Sequence, residues 1–311
     1  MKAWMRAIKI VFRSSKLKKQ FVYGTSDNDN DELNISCSVY KYMSALKDTA
    51  TIKIKNLTYN EITQLIIGEF YDVEIWCGYR KGNVNKIFIG GVLYISNKLE
   101  GNTNTAIILC ASNLVAKYGQ KRLNLTLNSG INLYSAINFI CKRAGITNSN
   151  VSTQFKKQFL DNIMTVNDTT GSWLDKLCSN NSSYIMNSDG ITNATLSIFD
   201  SAKSNSRVIK LKNSDIQLTN GYPRLTSEGL SLTLLPTFNF MCGDTIEIDN
   251  SIIDISVSNQ SEISKNYGGY FSQKGQYMIY EMVYVLQNRG AVFTLEMKCK
   301  NRDRISAYVG G

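Results

Sequence analysis

The chain contains no histidine. That absence removes the side chain most used as general base, as metal ligand and as activator of serine or cysteine nucleophiles. Any catalysis would rest on carboxylates, lysine or tyrosine. Three carboxylates, Asp161, Asp168 and Asp175, fall in the middle of the chain. Their spacing gives no reason to pair two of them across a glycosidic bond. Asp27-Asn28-Asp29-Asn30-Asp31-Glu32 places carboxylates on alternate positions, as a calcium loop does. Its sixth position is Glu32 where that geometry needs glycine, and its twelfth is Ser38 where it needs glutamate. The stretch reads as a solvated hairpin tip. The seven cysteines include no C-x-x-C pair, which argues against a zinc site. Most lie in apolar runs and read as buried thiols of a protein made in a reducing cytoplasm. No catalytic residue, metal ligand or cofactor is assigned on this basis, and the chain does not read as an enzyme.

Binding chemistry is the next question. Tyr79, Arg80 and Lys81 combine an aromatic ring with two cations, as single-stranded nucleic-acid sites of OB type do. Strands favour aromatics for packing alone, however, and this one stands beside turn glycines. The net charge of +10 suits nucleic acid, an acidic surface or an acidic protein partner. Its clusters, at Lys16–Lys19 and Lys298–Arg304, are too short for a nucleic-acid arm. Gly90-Gly91 has no helix behind it, as a phosphate loop requires, and reads as a bulge or bend inside a strand. The Asn-x-Ser/Thr triplets, such as Asn34-Ile35-Ser36 and Asn56-Leu57-Thr58, are chance in an Asn-rich chain.

These residues need a scaffold, and composition describes one. With 43% hydrophobic and 19% charged residues, the 311-residue chain is globular, with material for two or three domains. Two prolines against 21 glycines leave turns to Gly, Asn and Asp, as at Asp189-Gly190 and Asn220-Gly221. The first 26 residues lack acids, which imitates a transit peptide. Ala7–Phe12 instead partly alternates like a strand, and no apolar run reaches the roughly 20 residues of a membrane span, so the chain is expected to be soluble.

Periodicity predicts strands at 7–12, 33–40, 51–57, 70–79, 87–96 and 104–111. One short helix follows 51–57. Thr58-Tyr59-Asn60-Glu61 matches a capping box, Ile62, Leu65 and Ile66 follow at helical spacing, and Gly68 is placed for a left-handed stop. The texture then changes. A helix is predicted at 131–144, with Leu133, Ile137, Ile140 and Cys141 on one face and Gly145 behind it. A second is predicted at 170–179, with Trp173, Leu174 and Leu177 inward. A hairpin follows, Tyr184–Met186 and Thr195–Phe199 about the Asp189-Gly190 turn. Strand texture returns at 208–211, 230–234 before Pro236, and 245–248. Residues 256–275 read as a long exposed loop. Tyr277–Leu286 and Ala291–Cys299 form a closing hairpin around Asn288-Arg289-Gly290. The expected layout is mainly β with an α+β insert: a β-domain at 1–112, an α+β domain at 113–205 and a second β-domain at 206–311.

Several strings, taken in order, resemble the baseplate hub proteins of contractile-tailed phages, the late control protein D-like group related to tailocin and type VI secretion spike hubs. Ala50–Thr58 resembles their strand-to-helix entry. Ile75-Trp76-Cys77-Gly78-Tyr79 with Ile87-Phe88-Ile89-Gly90-Gly91 resembles a Gly-Tyr … Ile-Phe-x-Gly pair of strands. Ile107–Ser112 and the helix ending Lys142-Arg143-Ala144-Gly145-Ile146 resemble the passage into a second domain. Leu234-Leu235-Pro236 with Cys242-Gly243-Asp244-Thr245-Ile246 resembles a Leu-x-Pro … Gly-Asp segment. Gly275-Gln276-Tyr277 and Phe293–Cys299 resemble the closing hairpin.

The resemblance implies two tail-tube-like β-barrel domains flanking a smaller α+β domain. It implies a homotrimer whose six barrels meet a hexameric tail tube on one side and a trimeric central spike on the other. Partners would be the tube or tube-initiator protein, the spike, other baseplate proteins and the tape measure protein, with no membrane in the free state. The place would be the virion tail baseplate, assembled in the host cytoplasm. Relatives with a fused hydrolase or spike exist, and the end at Gly311 leaves no room for either. The alternatives are a basic OB-like single-stranded nucleic-acid-binding protein and a peptidoglycan hydrolase.

Overall fold

The structure is a computed structural model that describes residues 6–14, 16–24, 33–43, 48–68, 70–80, 82–100, 103–112, 121–146, 148–178, 182–188, 194–200, 207–212, 214–215, 222–226, 229–237, 239–255, 272 and 274–302. The calcium-like run at 27–32, the turns at 189–190 and 220–221, Lys81 and most of the 256–275 loop lie outside the described residues.

The first region holds β1 (Arg6–Ser14), β2 (Lys19–Gly24), β3 (Ile35–Tyr42), β4 (Thr49–Lys55), α1 (Tyr59–Ile67), β5 (Phe70–Tyr79), β6 (Val84–Glu100) and β7 (Thr103–Ser112). The middle holds β8 (Arg122–Leu127), α2 (Leu133–Ala144), β9 (Asn148–Val151), β10 (Met164–Thr169), α3 (Thr170–Cys178), β11 (Ser182–Ser188) and β12 (Ala194–Asp200). The last region holds β13 (Val208–Lys210), β14 (Arg224–Thr226), β15 (Gly229–Leu234), β16 (Thr245–Glu247), β17 (Asp254–Ile255), β18 (Gln276–Gln287) and β19 (Phe293–Asn301).

The mainly β class with an α+β insert stands. The strands of the two β regions are joined in one sheet. Fourteen strands form one sheet along the path β17-β14-β15-β19-β18-β3-β4-β7-β6-β5-β1-β2, with β16 attached to β18 and β13 to β16. No closed barrel arises from these pairings among the described residues. The regions meet where β3 and β18 run antiparallel, from Tyr42 opposite Glu281 to Ser36 opposite Gln287. The reason is a shared inward face. Ile35, Cys37 and Val39 of β3 and Met282, Tyr284 and Leu286 of β18 are all buried, so pairing these edges continues one apolar surface. A single hydrophobic cluster accordingly runs from Ile8 to Cys299 through both regions.

The middle residues build a second core. Ile137, Ile140 and Cys141 of α2 and Trp173, Leu174 and Leu177 of α3 bury against Phe155, Leu196 and Ile198. β8 pairs with β10, while β11, β12 and β9 form a three-stranded sheet. Asn132 caps α2 by accepting from the Ser135 amide, and Gly145 ends it in the left-handed conformation at φ 86°.

Local signals account for α1 in part. Thr58 and Glu61 form the predicted capping box, and Ile62 and Leu65 are buried. Ile66 is exposed instead of inward, because a nine-residue helix on a sheet buries only a narrow stripe. Gly68 does not supply a left-handed stop. It sits at φ −77°, ψ 113°, since the chain turns directly into extended backbone toward β5. At Gly90 a Cβ would stand 2.3 Å from the Ala111 carbonyl oxygen and against the Phe88 ring, so only glycine allows β6 this approach to β7. Among the described residues, no helix is long and apolar enough to cross a membrane.

Candidate assembly surfaces

The residues that could have done chemistry are mostly structural where the structure places them. Tyr79 is buried and meets Phe293 edge-on, ring centroids 5.5 Å apart. It joins the first region to the last and offers no face to a nucleic-acid base. All seven cysteines are free and buried. Burial pushes the Cys37 and Cys110 thiols up to about 12, far from thiolate reactivity at neutral pH. Among the described residues, no three acids or thiols are grouped to hold a metal.

The three middle carboxylates have separate fates. Thr169, whose hydroxyl accepts from the Ser172 amide at 3.3 Å, caps α3, and Asp168 stands one residue before it near the end of β10. Asp168 accepts from the Ser172 hydroxyl at 2.6 Å, the Thr169 amide at 2.7 Å and Lys176 Nζ at 3.1 Å. These donors hold its carboxyl at about 2. Asp175 lies on the exposed side of α3, and Asp161 is exposed in the bend before β10. Asp168 thus ties the end of β10 to side chains of α3.

Polar stitching fixes the junction of the two β regions. The Asn288 side chain accepts from the Ile35 amide at 2.8 Å and donates to the Leu33 carbonyl at 2.8 Å. The Arg6 guanidinium donates to the carbonyls of Gln287, Gly290 and Ala291 and lies over the Phe293 ring. The turn that closes the last hairpin is thereby tied to the start of β1 and β3. Sequence marked Asn288-Arg289-Gly290 as a turn, but nothing in it signalled these distant acceptors.

An ionic cluster occupies one face of β1, β5 and β6. Arg13 spans Asp72 and Glu74, each at 3.2 Å, and Lys86 approaches Glu74 at 3.6 Å. The Trp76 indole donates to Glu74, and Lys9 and Lys86 flank its ring at 6.0 and 5.5 Å. Burial works against ionisation of Glu74, but hydrogen bonds from Arg13 and Trp76 and the nearby cations outweigh it, leaving its carboxyl below the usual range.

What remains open to solvent is strand edge and apolar surface. β6 pairs with β5 only over Val84–Gly90, while its pairing with β7 runs on to Glu100. Gly91–Glu100 therefore has a strand on one side only among the described residues. A register shift between Val92 and Tyr94 turns Leu93 and Tyr94 outward, 64% and 56% exposed. On α1, which packs beside β6, Tyr59, Ile66 and Ile67 are exposed too. The Gly90-Gly91 signal announced an irregular strand. Its consequence, an apolar outer surface, depends on which residues the bulge rotates. Edges of this kind are templates for further strand pairing.

No family model and no curated protein matches the chain in sequence. Its fold is that of phage tail proteins and of related type VI secretion proteins, so the resemblance to tail hubs read from the motifs holds at the level of fold. The 43 kDa tail protein of prophage MuSo2 from Shewanella oneidensis is 10% identical, with a TM-score of 0.57 over 96% of this chain and 98% of that one. A tail protein from Neisseria meningitidis MC58 is 10% identical, with a TM-score of 0.56 over 96% and 97% of the two chains. The E. coli c3393 protein, a type VI secretion component with structural similarity to the T4 tail proteins gp27 and gp5, is 8% identical, with a TM-score of 0.53 over 86% and 73%.

Proposed function

We propose that this chain is a structural, non-enzymatic subunit of a phage tail or phage-tail-like particle. Specifically, it acts as a baseplate hub: three copies form a ring that joins a hexameric tail tube to a trimeric central spike and starts tube assembly. The carrying observation is the end-to-end likeness to the MuSo2 tail protein, 96% of one chain on 98% of the other. The open edge of β6 and the apolar residues beside it add support, since a subunit destined for a ring needs surface of that kind.

In this reading residues 1–112 and 206–311 are the two tube-facing β units and 113–205 the α+β unit between them. The tube or tube-initiator protein sits on one side of the ring and the spike on the other, with further baseplate proteins around it and the tape measure protein within reach. Assembly takes place in the host cytoplasm and the product resides in the virion baseplate. Native mass spectrometry of the purified chain should give three times 34.9 kDa, and purified particles should hold a copy number divisible by three. A chain that is monomeric both in solution and in particles would end this reading.

A further inference from the structure

The middle unit carries unbalanced positive charge along one helix. Helix α2 turns Ile137, Ile140, Cys141 and Ala144 inward. Its other side is exposed at Ser135, Phe139, Lys142 and Arg143. Arg143 lies over the Phe139 ring at 5.5 Å. Lys121 reaches the same end of the helix and donates to the Ala144 carbonyl at 3.1 Å. At the opposite end the chain returns past α2 in the short turn of helix Thr153–Lys157, where Lys156 and Lys157 are exposed. Lys156 stands over the Tyr134 ring at 5.1 Å. Phe159, which bridges to Asn132 at the start of α2, is 57% exposed.

These cations border α2 at both ends. Lys121, Lys142 and Arg143 sit at the C-terminus, where positive charge complements the helix dipole. Lys156 is held at the first turn, where the dipole opposes it, and Lys157 is its neighbour. Helix stability therefore does not account for the second group. Among the described residues none of the five is ion-paired with an acid. Asp168 is committed to Lys176 at 3.1 Å, Asp175 lies on α3, and Asp161 follows Phe159 in the bend before β10. A surface of this charge repels a second copy of itself and attracts an anion.

The arrangement narrows the kind of anion. Helix α2 has 12 residues and is about 18 Å long, with cations gathered toward its two ends and the Tyr134 and Phe139 rings along it. A polynucleotide carries its charge evenly, one phosphate per nucleotide, and stacks its bases on open ring faces. Here the charge is divided, and each of the two rings already holds a cation on one face. A protein segment with carboxylates toward its ends and apolar side chains between them fits the division of charge and the exposed Phe139 and Phe159. We infer that this face of α2 docks an acidic, amphipathic segment of another protein. The site lies in the middle unit alone and does not depend on whether three copies form a ring.

The test uses the full chain and a displayed library of random peptides of about 16 residues, long enough to span α2 as a helix. Peptides selected on the wild type should be rich in Asp, Glu and apolar residues. The tightest, made synthetically, should lose about tenfold or more in affinity on Lys156→Glu with Lys157→Glu, and likewise on Lys142→Glu with Arg143→Glu. Its binding should weaken as salt is raised. Phe159→Ser should weaken it with every charge in place. Lys156 and Lys157 lie outside α2, so their variant probes the surface without touching the last turn of the helix, and its circular dichroism should be native. A selection that yields nothing, or neutral or basic peptides, or acidic ones indifferent to both double variants, overturns the site. Oligo-dT of about 20 nucleotides that binds more tightly than every selected peptide, and is lost with the same variants, assigns the face to nucleic acid and overturns it as well. The native mass of each variant should equal that of the wild type, so failure here leaves the hub reading in place.

Discussion

The β body and the middle unit reach their cores by opposite routes. The body gathers strands from both ends of the chain, and its cluster joins Ile8 to Cys299. The middle unit draws its cluster from one uninterrupted stretch, Leu123 to Ile198. The difference teaches where cooperativity should lie. Two regions that share one sheet and one core should unfold together, although the middle unit separates them in sequence. The middle unit, with its own core, should unfold by itself.

The largest test of that contrast is Tyr284→Ala. The side chain is fully buried on β18 beside the junction, and its loss should cost about 3–5 kcal/mol. Hydrogen exchange should then rise together in β1, β4, β15 and β19, with α2 and α3 still protected. Exchange rising in the last region alone would mean two independent β bodies. Phe155→Ala is the counterpart in the middle unit, where that ring is fully buried. A loss of about 3 kcal/mol is expected, with exchange rising in α2, α3 and β12 and unchanged in β3 and β18.

Asn288→Ala sharpens the comparison at the seam. It leaves the Ile35 amide and the Leu33 carbonyl without their side-chain partners, which should cost about 1–3 kcal/mol. The β18–β3 pairing should exchange faster before the rest of the body does. A loss spread evenly through the body would show the seam is not its weak point.

How much of this was legible depended on range. The Thr58–Glu61 box, the α2 stripe ending at Gly145 and the inward Trp173, Leu174 and Leu177 are local patterns, and they were readable. The strand Lys19–Gly24 was not. Its Lys19, Gln20 and Val22 are exposed, and it exists because β1 offers a pairing edge. The two- and three-residue strands β17 and β14 are likewise made by their partners. Alternation in β3 and β18 told which side chains face inward. It could not tell that the two strands are neighbours, because period-two patterning specifies a face and carries no label for the adjacent strand. The pairing that joins the two β stretches in one sheet lies in that gap. The candidate surface was less legible still, since the outward turn of Leu93 and Tyr94 arises from a bulge whose position only the register reveals.

Two smaller tests use pH, one in each unit. In the body, burial lifts the Asp48 carboxyl to about 6, although Lys41 and the Tyr42 amide oppose the shift. The folded state therefore holds this proton more tightly than the unfolded chain, and stability falls as pH rises from about 4 to about 6. Asp48→Asn keeps an acceptor for the Tyr42 amide. It should raise the melting temperature at pH 8, by a gain on the order of 1 kcal/mol since Asp48 keeps some solvent contact, and leave it unchanged near pH 4. In the middle unit the sign reverses. Asp168 is held at about 2, so its contribution is complete above about 4 and lost as pH falls toward 2. Asp168→Asn should melt slightly below the wild type at pH 7, the two curves converging in acid. A constant offset would mean that the side chain acts by packing alone.

The antiparallel seam between β3 and β18 has a mechanical consequence. Its seven residue pairs lie side by side, with hydrogen bonds perpendicular to the strands. Tension along the strands loads all of them at once and must shear the whole seam. Tension across it meets them one after another, like a zip opening. Pulling one chain between Ser36 and Glu281 in a force microscope, where the two strands slide, should therefore need far more force than pulling between Tyr42 and Glu281, where they peel. A body built this way is stiff along one axis and yielding along the other.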